Sequence, residues 1–151
     1  MPTSDAKTDL WAIACDHGGL NLKNHLHSLL KKWDYQVQDL GTDKAESVDY
    51  PDFAIKVAKG VAAGEYIRGI LVCGTGIGMS MTANRFESVR AAVCTSAYTA
   101  RMARAHNDAN ILCLGERVIG FGEAQDILKA FCEQEFEGDR HAKRIAKIKR
   151  G

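Results

Sequence analysis

The sequence predicts an α/β fold, a single doubly wound domain with a five-stranded parallel sheet flanked by helices. Three observations carry that prediction. Short, almost wholly apolar runs alternate along the chain with longer stretches whose apolar residues recur at helical spacing, the pattern of strands covered on both faces and joined by crossover helices. The 151 residues, 46% hydrophobic and 26% charged, suffice for one good core rather than two domains. Gly and Pro are too scarce for a fibrous or disordered chain, and no apolar run reaches the roughly 18 residues that span a bilayer.

The elements follow in order. Residues 10–14 (LWAIA) are the first strand, and Leu22, Leu26, Leu29, Leu30 and Trp33 then mark the apolar face of a helix. Residues 36–40 are the second strand, followed by a polar loop through Gly41, Thr42 and Asp43. Pro51 suits the first turn of the next helix, whose apolar face would use Phe53, Ile55, Val57, Ala58 and Val61. Residues 69–73 (GILVC) are the clearest buried strand and run straight into Gly74-Thr75-Gly76-Ile77-Gly78. Beyond that loop, residues 79–85 read as a helix, 91–94 as a strand, 97–105 as a helix, 109–114 as the fifth strand, 123–131 as a helix and 140–150 as a last basic helix. No repeat or Ser/Pro linker divides residues 10–151, and the polar segment 1–9 is expected to be flexible. The architecture is thus Rossmann-like, with any site expected beyond the carboxyl ends of the strands.

Charge and cysteine usage exclude several partners. Lys plus Arg number 20 against 19 acids, so neither nucleic acid nor a membrane surface is an expected partner. The average hides a basic tail, since residues 139–151 hold Arg140, Lys143, Arg144, Lys147, Lys149 and Arg150 against the single acid Asp139. Such a run is either a solvated helix end or an anion-binding arm. The five cysteines, 15, 73, 94, 113 and 132, form no C-x-x-C pair, so no zinc or dithiol centre is expected. Their odd number, without a secretory leader, points to a reducing cytoplasm.

The loop 74–78 after the third strand is the strongest chemical signal, because it sets a thiol at a strand end against a glycine-rich helix start. Successive backbone N–H groups can converge there on an anion or a developing oxyanion. Cys73 can act as base or nucleophile in that setting, or it can simply be a small core residue. A phosphate-binding P-loop is excluded because Met79-Ser80, not Lys-Ser/Thr, follows Gly78, and a dinucleotide fingerprint because G-x-G-x-G here follows the third strand. Asp16-His17-Gly18-Gly19 occupies the first strand-to-helix turn and should face the same edge; Asp16 can shuttle protons, cap the helix, or do both. His106-Asn107-Asp108 adds a group that titrates near neutrality and an amide able to bind a hydroxyl. His25 and His27 on the first helix read as structural or merely exposed, Cys15, Cys94 and Cys113 as core residues, and Cys132 as a helix residue without chemical duty.

With these pieces in order, the sequence resembles the ribose-5-phosphate isomerase B family, metal-free sugar-phosphate isomerases that also include galactose-6-phosphate isomerase subunits. The resemblance runs from about Ala12 to Ile148 and rests on seven segments in order: Cys15-Asp16-His17-Gly18-Gly19, Asp49-Tyr50-Pro51-Asp52, Cys73-Gly74-Thr75-Gly76-Ile77-Gly78, Ala83-Asn84-Arg85, His106-Asn107-Asp108-Ala109-Asn110, Gly115-Glu116-Arg117-Val118, and Arg140-His141 with Arg144.

The resemblance implies reversible aldose-ketose isomerisation of a sugar phosphate through a cis-enediol, here ribose 5-phosphate to ribulose 5-phosphate in the non-oxidative pentose phosphate pathway, with no metal or cofactor. It makes Cys73 the base between C2 and C1, Thr75 and the backbone of Gly74, Gly76, Ile77 and Gly78 the enediolate cradle, and His106 the ring opener with Asp16 nearby. It makes His17, Arg117, Arg140 and Arg144 the phosphate clamp, with Tyr50 and Asn107 lining the sugar. Some relatives lack the loop cysteine and use a glutamate immediately after the last loop glycine; here that position is Met79. Asp139 stands where relatives often have glycine. The resemblance further implies a homodimer or tetramer in which His106 and Arg140 of one subunit reach the Cys73 pocket of another. A hexose 6-phosphate isomerase and a non-catalytic sugar-phosphate-binding module are the alternative readings.

Overall fold

The structure, a computed structural model, describes residues 9–148. Nearly all of the expected N-terminal segment, and the last residues of the expected C-terminal helix, lie outside the described residues. The elements are β1 (Trp11–Cys15), a single 3-10 turn (His17–Gly19), α1 (Leu20–Lys32), β2 (Val37–Asp39), α2 (Tyr50–Ala62), β3 (Arg68–Cys73), α3 (Ile77–Ala83), β4 (Ala91–Val93), α4 (Ala97–Asn107), β5 (Ile111–Gly115), α5 (Phe121–Glu133) and α6 (Arg140–Ile148). The five strands lie in the order β2-β1-β3-β5-β4, all parallel. The expected α/β architecture is therefore present.

Period-two alternation divides the core into two layers. Trp11, Ile13 and Cys15 of β1, Ile70 and Val72 of β3, and Leu112 and Leu114 of β5 pack under α1, α4 and α5. Ala12, Ala14, Leu71, Cys73, Ile111 and Cys113 face the opposite way, toward α2 and α3. The chain leaves β1 for a helix on one face and β3 for a helix on the other. A crevice must open between the carboxyl ends of these adjacent strands, the switch point where doubly wound sheets bind ligands.

Two boundaries and one helix face differ from expectation for identifiable reasons. Helix α3 begins at Ile77 rather than 79, because Gly76 takes the left-handed region (φ 82) and starts it, drawing Ile77 and Gly78 into its first turn. Helix α4 runs to Asn107 and stops at Asp108, also left-handed (φ 45). On α2, Ile55 is 40% exposed and not part of the apolar face; the buried stripe is Ala54, Val57, Ala58 and Val61, an i, i+3, i+4, i+7 set from which 55 departs.

Two polar features support the sheet. Lys23 is buried on α1 with its Nζ 2.6 Å from Oδ2 of Asp39 at the end of β2, tying helix to strand. At the open edge of β4, the Asn84 side chain accepts the N–H of Ala91 at 2.8 Å and donates to its carbonyl at 2.9 Å, occupying one of the outward-facing residues a further strand would pair with.

Candidate active site

Cys73 ends β3 and is 5% exposed. Its Sγ accepts the backbone N–H of Gly76 at 3.0 Å, and Thr75 Oγ1 accepts the N–H of Ile77 at 3.2 Å. The turn is tight. A Cβ at Gly76 would lie 3.0 Å from the Leu114 backbone, and one at Gly115 would lie 2.6 Å from that of Thr75, so β5 backs the loop closely. Replacing Gly76 by Ala is expected to cost about 1–2 kcal/mol through the left-handed backbone alone, a loss that urea unfolding would read; unchanged stability would contradict the strained turn.

The β1 turn closes on this loop. Asp16, buried, accepts the N–H of Gly18 through Oδ1 at 2.9 Å, so the capping role is present. A Cβ at Gly18 would sit 3.3 Å from Asp16 Oδ1 and 3.4 Å from the Gly74 nitrogen, which brings Asp16, Gly18 and Gly74 into one cluster. His17 accepts the N–H of Val48 through Nδ1 at 3.1 Å. With Nδ1 engaged as an acceptor, Nε2 is the ring nitrogen left to donate.

Tyr50 and Arg117 complete this edge. The Tyr50 ring lies against Gly78, where a Cβ would come within 2.5 Å of it. Arg117 donates its backbone N–H to the Gly74 carbonyl at 3.1 Å, and its guanidinium runs beside Gly74, 3.4 Å from where a Cβ there would stand. Its neighbour Glu116 accepts the N–H of Leu22 at 2.6 Å, so a side chain far along the chain satisfies the start of α1, whose own N-cap, Gly19, has no side chain to do so. Sequence reasoning assigned Glu116 no role; an acid directly after β5, at the edge where α1 begins, was the available signal.

The remaining expected residues lie elsewhere in the same chain. Parallel register sets Gly69 beside Ile111 and Cys73 beside Gly115, and His106 and Asn107 end the helix that precedes β5. They occupy the amino edge of the sheet, separated from Cys73 by four residue intervals of strand, about 13 Å. Arg140 and Arg144 lie on α6, which packs against α4 at that end. There the His106 ring stacks on His141 with centroids 4.2 Å apart, and Glu137 Oε1 lies 3.7 Å from His106 Nε2 and 3.6 Å from His141 Nε2. Burial, with His106 and Arg140 beside it, holds His141 below the usual histidine range. Sequence reasoning assigned Glu137 and His141 no role, although their i, i+4 spacing was visible.

The other cysteines behave as core residues. Burial pushes Cys15 and Cys132 up to about 12, Cys94 up to about 11 and Cys113 well above its ordinary value. These thiols stay protonated at neutral pH. All five cysteines are free, and no helix of the described residues is long and apolar enough to cross a membrane.

Known proteins share both sequence and fold. A ribose-5-phosphate isomerase B from Escherichia coli is 44% identical over 137 residues, covering 91% of this chain and 92% of its own length. A ribose-5-phosphate isomerase B structure from Clostridium thermocellum is 55% identical with a TM-score of 0.91, covering 92% of this chain and 94% of that one. The enzyme from Mycoplasma genitalium, solved with bound ribulose 5-phosphate, is 43% identical with a TM-score of 0.89, covering 92% and 93% of the two chains. The family described as Ribose/Galactose Isomerase matches residues 11–148. Nearly the whole described domain falls within that match, and the chain belongs to this isomerase family.

Proposed function

We propose that the protein interconverts ribose 5-phosphate and ribulose 5-phosphate, with Cys73 as the base. The observation that carries this reading is the Cys73 sulfur at the β1/β3 switch point, accepting the Gly76 N–H at the start of α3. The substrate class comes from the relatives, among them the Mycoplasma genitalium enzyme with ribulose 5-phosphate bound.

Starting from the aldose, the Cys73 thiolate takes the C2 proton, and the electron pair moves into a C1–C2 double bond as O1 gains negative charge. The same sulfur returns the proton to C1 while O2 gives up its proton and becomes the carbonyl oxygen. One hydrogen has moved from C2 to C1 and one from O2 to O1, with no external oxidant or reductant. Asp16, beside Gly74, is suited to the oxygen-to-oxygen transfer. Backbone N–H groups of the 74–78 loop and the Thr75 hydroxyl supply the dipoles that an enediolate needs, which makes a metal unnecessary. His17 Nε2–H and the Arg117 guanidinium are donors for a phosphate at the same edge.

Ring opening by His106, and phosphate contacts from Arg140 and Arg144 with Asn107 against the sugar, require a second copy of the chain. Within one chain the two groups stand at opposite edges of the sheet. The working unit in this reading is a homodimer, or a tetramer of dimers, with each site shared. Five free thiols suit a reducing compartment such as the cytoplasm.

A direct isomerase assay with chelator present tests the proposal. Turnover of ribose 5-phosphate is expected to persist, with a higher kcat/KM than for allose or galactose 6-phosphate. Preference for a hexose phosphate would reassign the substrate, and loss of turnover on chelation would remove the metal-free mechanism.

A further inference from the structure

The cluster at the amino edge has a feature that isomerisation does not use. Among the described residues, the one buried side-chain nitrogen or oxygen left without a hydrogen-bond partner is Nε2 of His141, a residue 5% exposed. Leaving a buried polar atom in that state costs about 1–3 kcal/mol. This nitrogen lies with His106 and Glu137 in a group whose ligand atoms all fall within 4.8 Å of one another.

The backbone holds the three residues where they are. Glu137 donates its N–H to the Ala105 carbonyl at 3.0 Å, one residue before His106, and His141 donates its N–H to the Gly138 carbonyl at 3.0 Å. The end of α4, the connecting turn and the start of α6 therefore converge by main-chain bonds, and the side chains meet as a consequence.

We infer that His106 Nε2, His141 Nε2 and Glu137 Oε1 form a binding site for a divalent zinc-like cation. Two imidazoles and one carboxylate are a borderline donor set that suits zinc and its first-row neighbours, and not the all-oxygen preference of calcium or magnesium. Tetrahedral zinc sets such atoms about 3.4 Å apart, so the 3.6 and 3.7 Å separations from Glu137 need to close by only a few tenths of an ångström. The larger adjustment falls to His106, which is 40% exposed in its side chain and can tilt from its stack on His141. Glu137 is 49% exposed, which leaves the outer side open to a water ligand. Arg140 and Arg144 on α6 add positive charge beside His141 and weaken cation binding there. Resting on the proposed function, occupation of the site would withhold His106 from the sugar ring and inhibit turnover.

The test titrates zinc into the full-length reduced protein against a chromogenic chelator, with cobalt as spectroscopic probe. One ion per chain is expected, with a cobalt spectrum lacking a thiolate charge-transfer band, and affinity reduced at least tenfold in both His141→Gln and Glu137→Gln. The second variant changes an exposed residue and so guards against a folding defect in the first. Absence of saturable binding, affinity unmoved in Glu137→Gln, or a thiolate band that vanishes in Cys73→Ser would overturn the site. Binding that leaves turnover untouched supports the metal site and counts against the role of His106 in ring opening, so the two failures are distinguishable.

Discussion

Cys73→Ala is expected to reduce kcat by about a thousandfold or more, in line with removal of the single group that moves a carbon-bound proton. The substitution deletes only a sulfur at the end of β3, where Cys73 is 5% exposed, and its folding cost is about 1 kcal/mol. Far-UV circular dichroism and ribose 5-phosphate affinity should therefore stay close to those of the parent. In deuterated water the variant should no longer exchange label at C2. Substantial exchange or turnover in Cys73→Ala would exclude the sulfur as base. The neighbouring carboxylate, Asp16, would then be the group to test.

The second large effect is a recovery. Cys73→Ala and His106→Ala should each be nearly inactive alone, yet unfolding and refolding them together should restore about a quarter of parental activity, since half of the dimers formed are mixed and each carries one intact site. The basis is topological: Cys73 ends one strand of a parallel sheet and His106 precedes another, so the two cannot meet within a chain. Analytical ultracentrifugation of the mixture verifies assembly. A refolded mixture as inactive as its parents would show that sites are not shared in this way.

Much of this was readable in the sequence because burial on both faces leaves parallel strands as uninterrupted apolar runs. The runs at 10–14 and 69–73 put Asp16 and Cys73 on the same edge of the sheet, while the adjacency of β1 and β3 is seen only in the strand order. That His106 stands at the far edge was also implicit, because residues just before a parallel strand enter at its amino end. Features that depend on one residue's backbone angle or on distant pairing were not legible. The helix start at Gly76 follows from a left-handed φ, the inward face of α2 was drawn through Ile55 in place of the smaller Ala54, and the Glu116 contact with Leu22 joins segments 94 positions apart. The buried Lys23 was missed because lysine is read as surface unless a partner such as Asp39 is known to wait for it.

The Asn84 bonds to β4 also bear on the outer edge of the sheet. A three-residue strand with bare N–H and C=O groups is a template on which another chain can add, and successive additions have no end point. With its amide facing Ala91 in both directions, Asn84 acts as a one-residue counterfeit strand that covers the β4 edge at that position. A chain adding at β4 would first have to displace Asn84 from Ala91, which discourages open-ended growth at that edge.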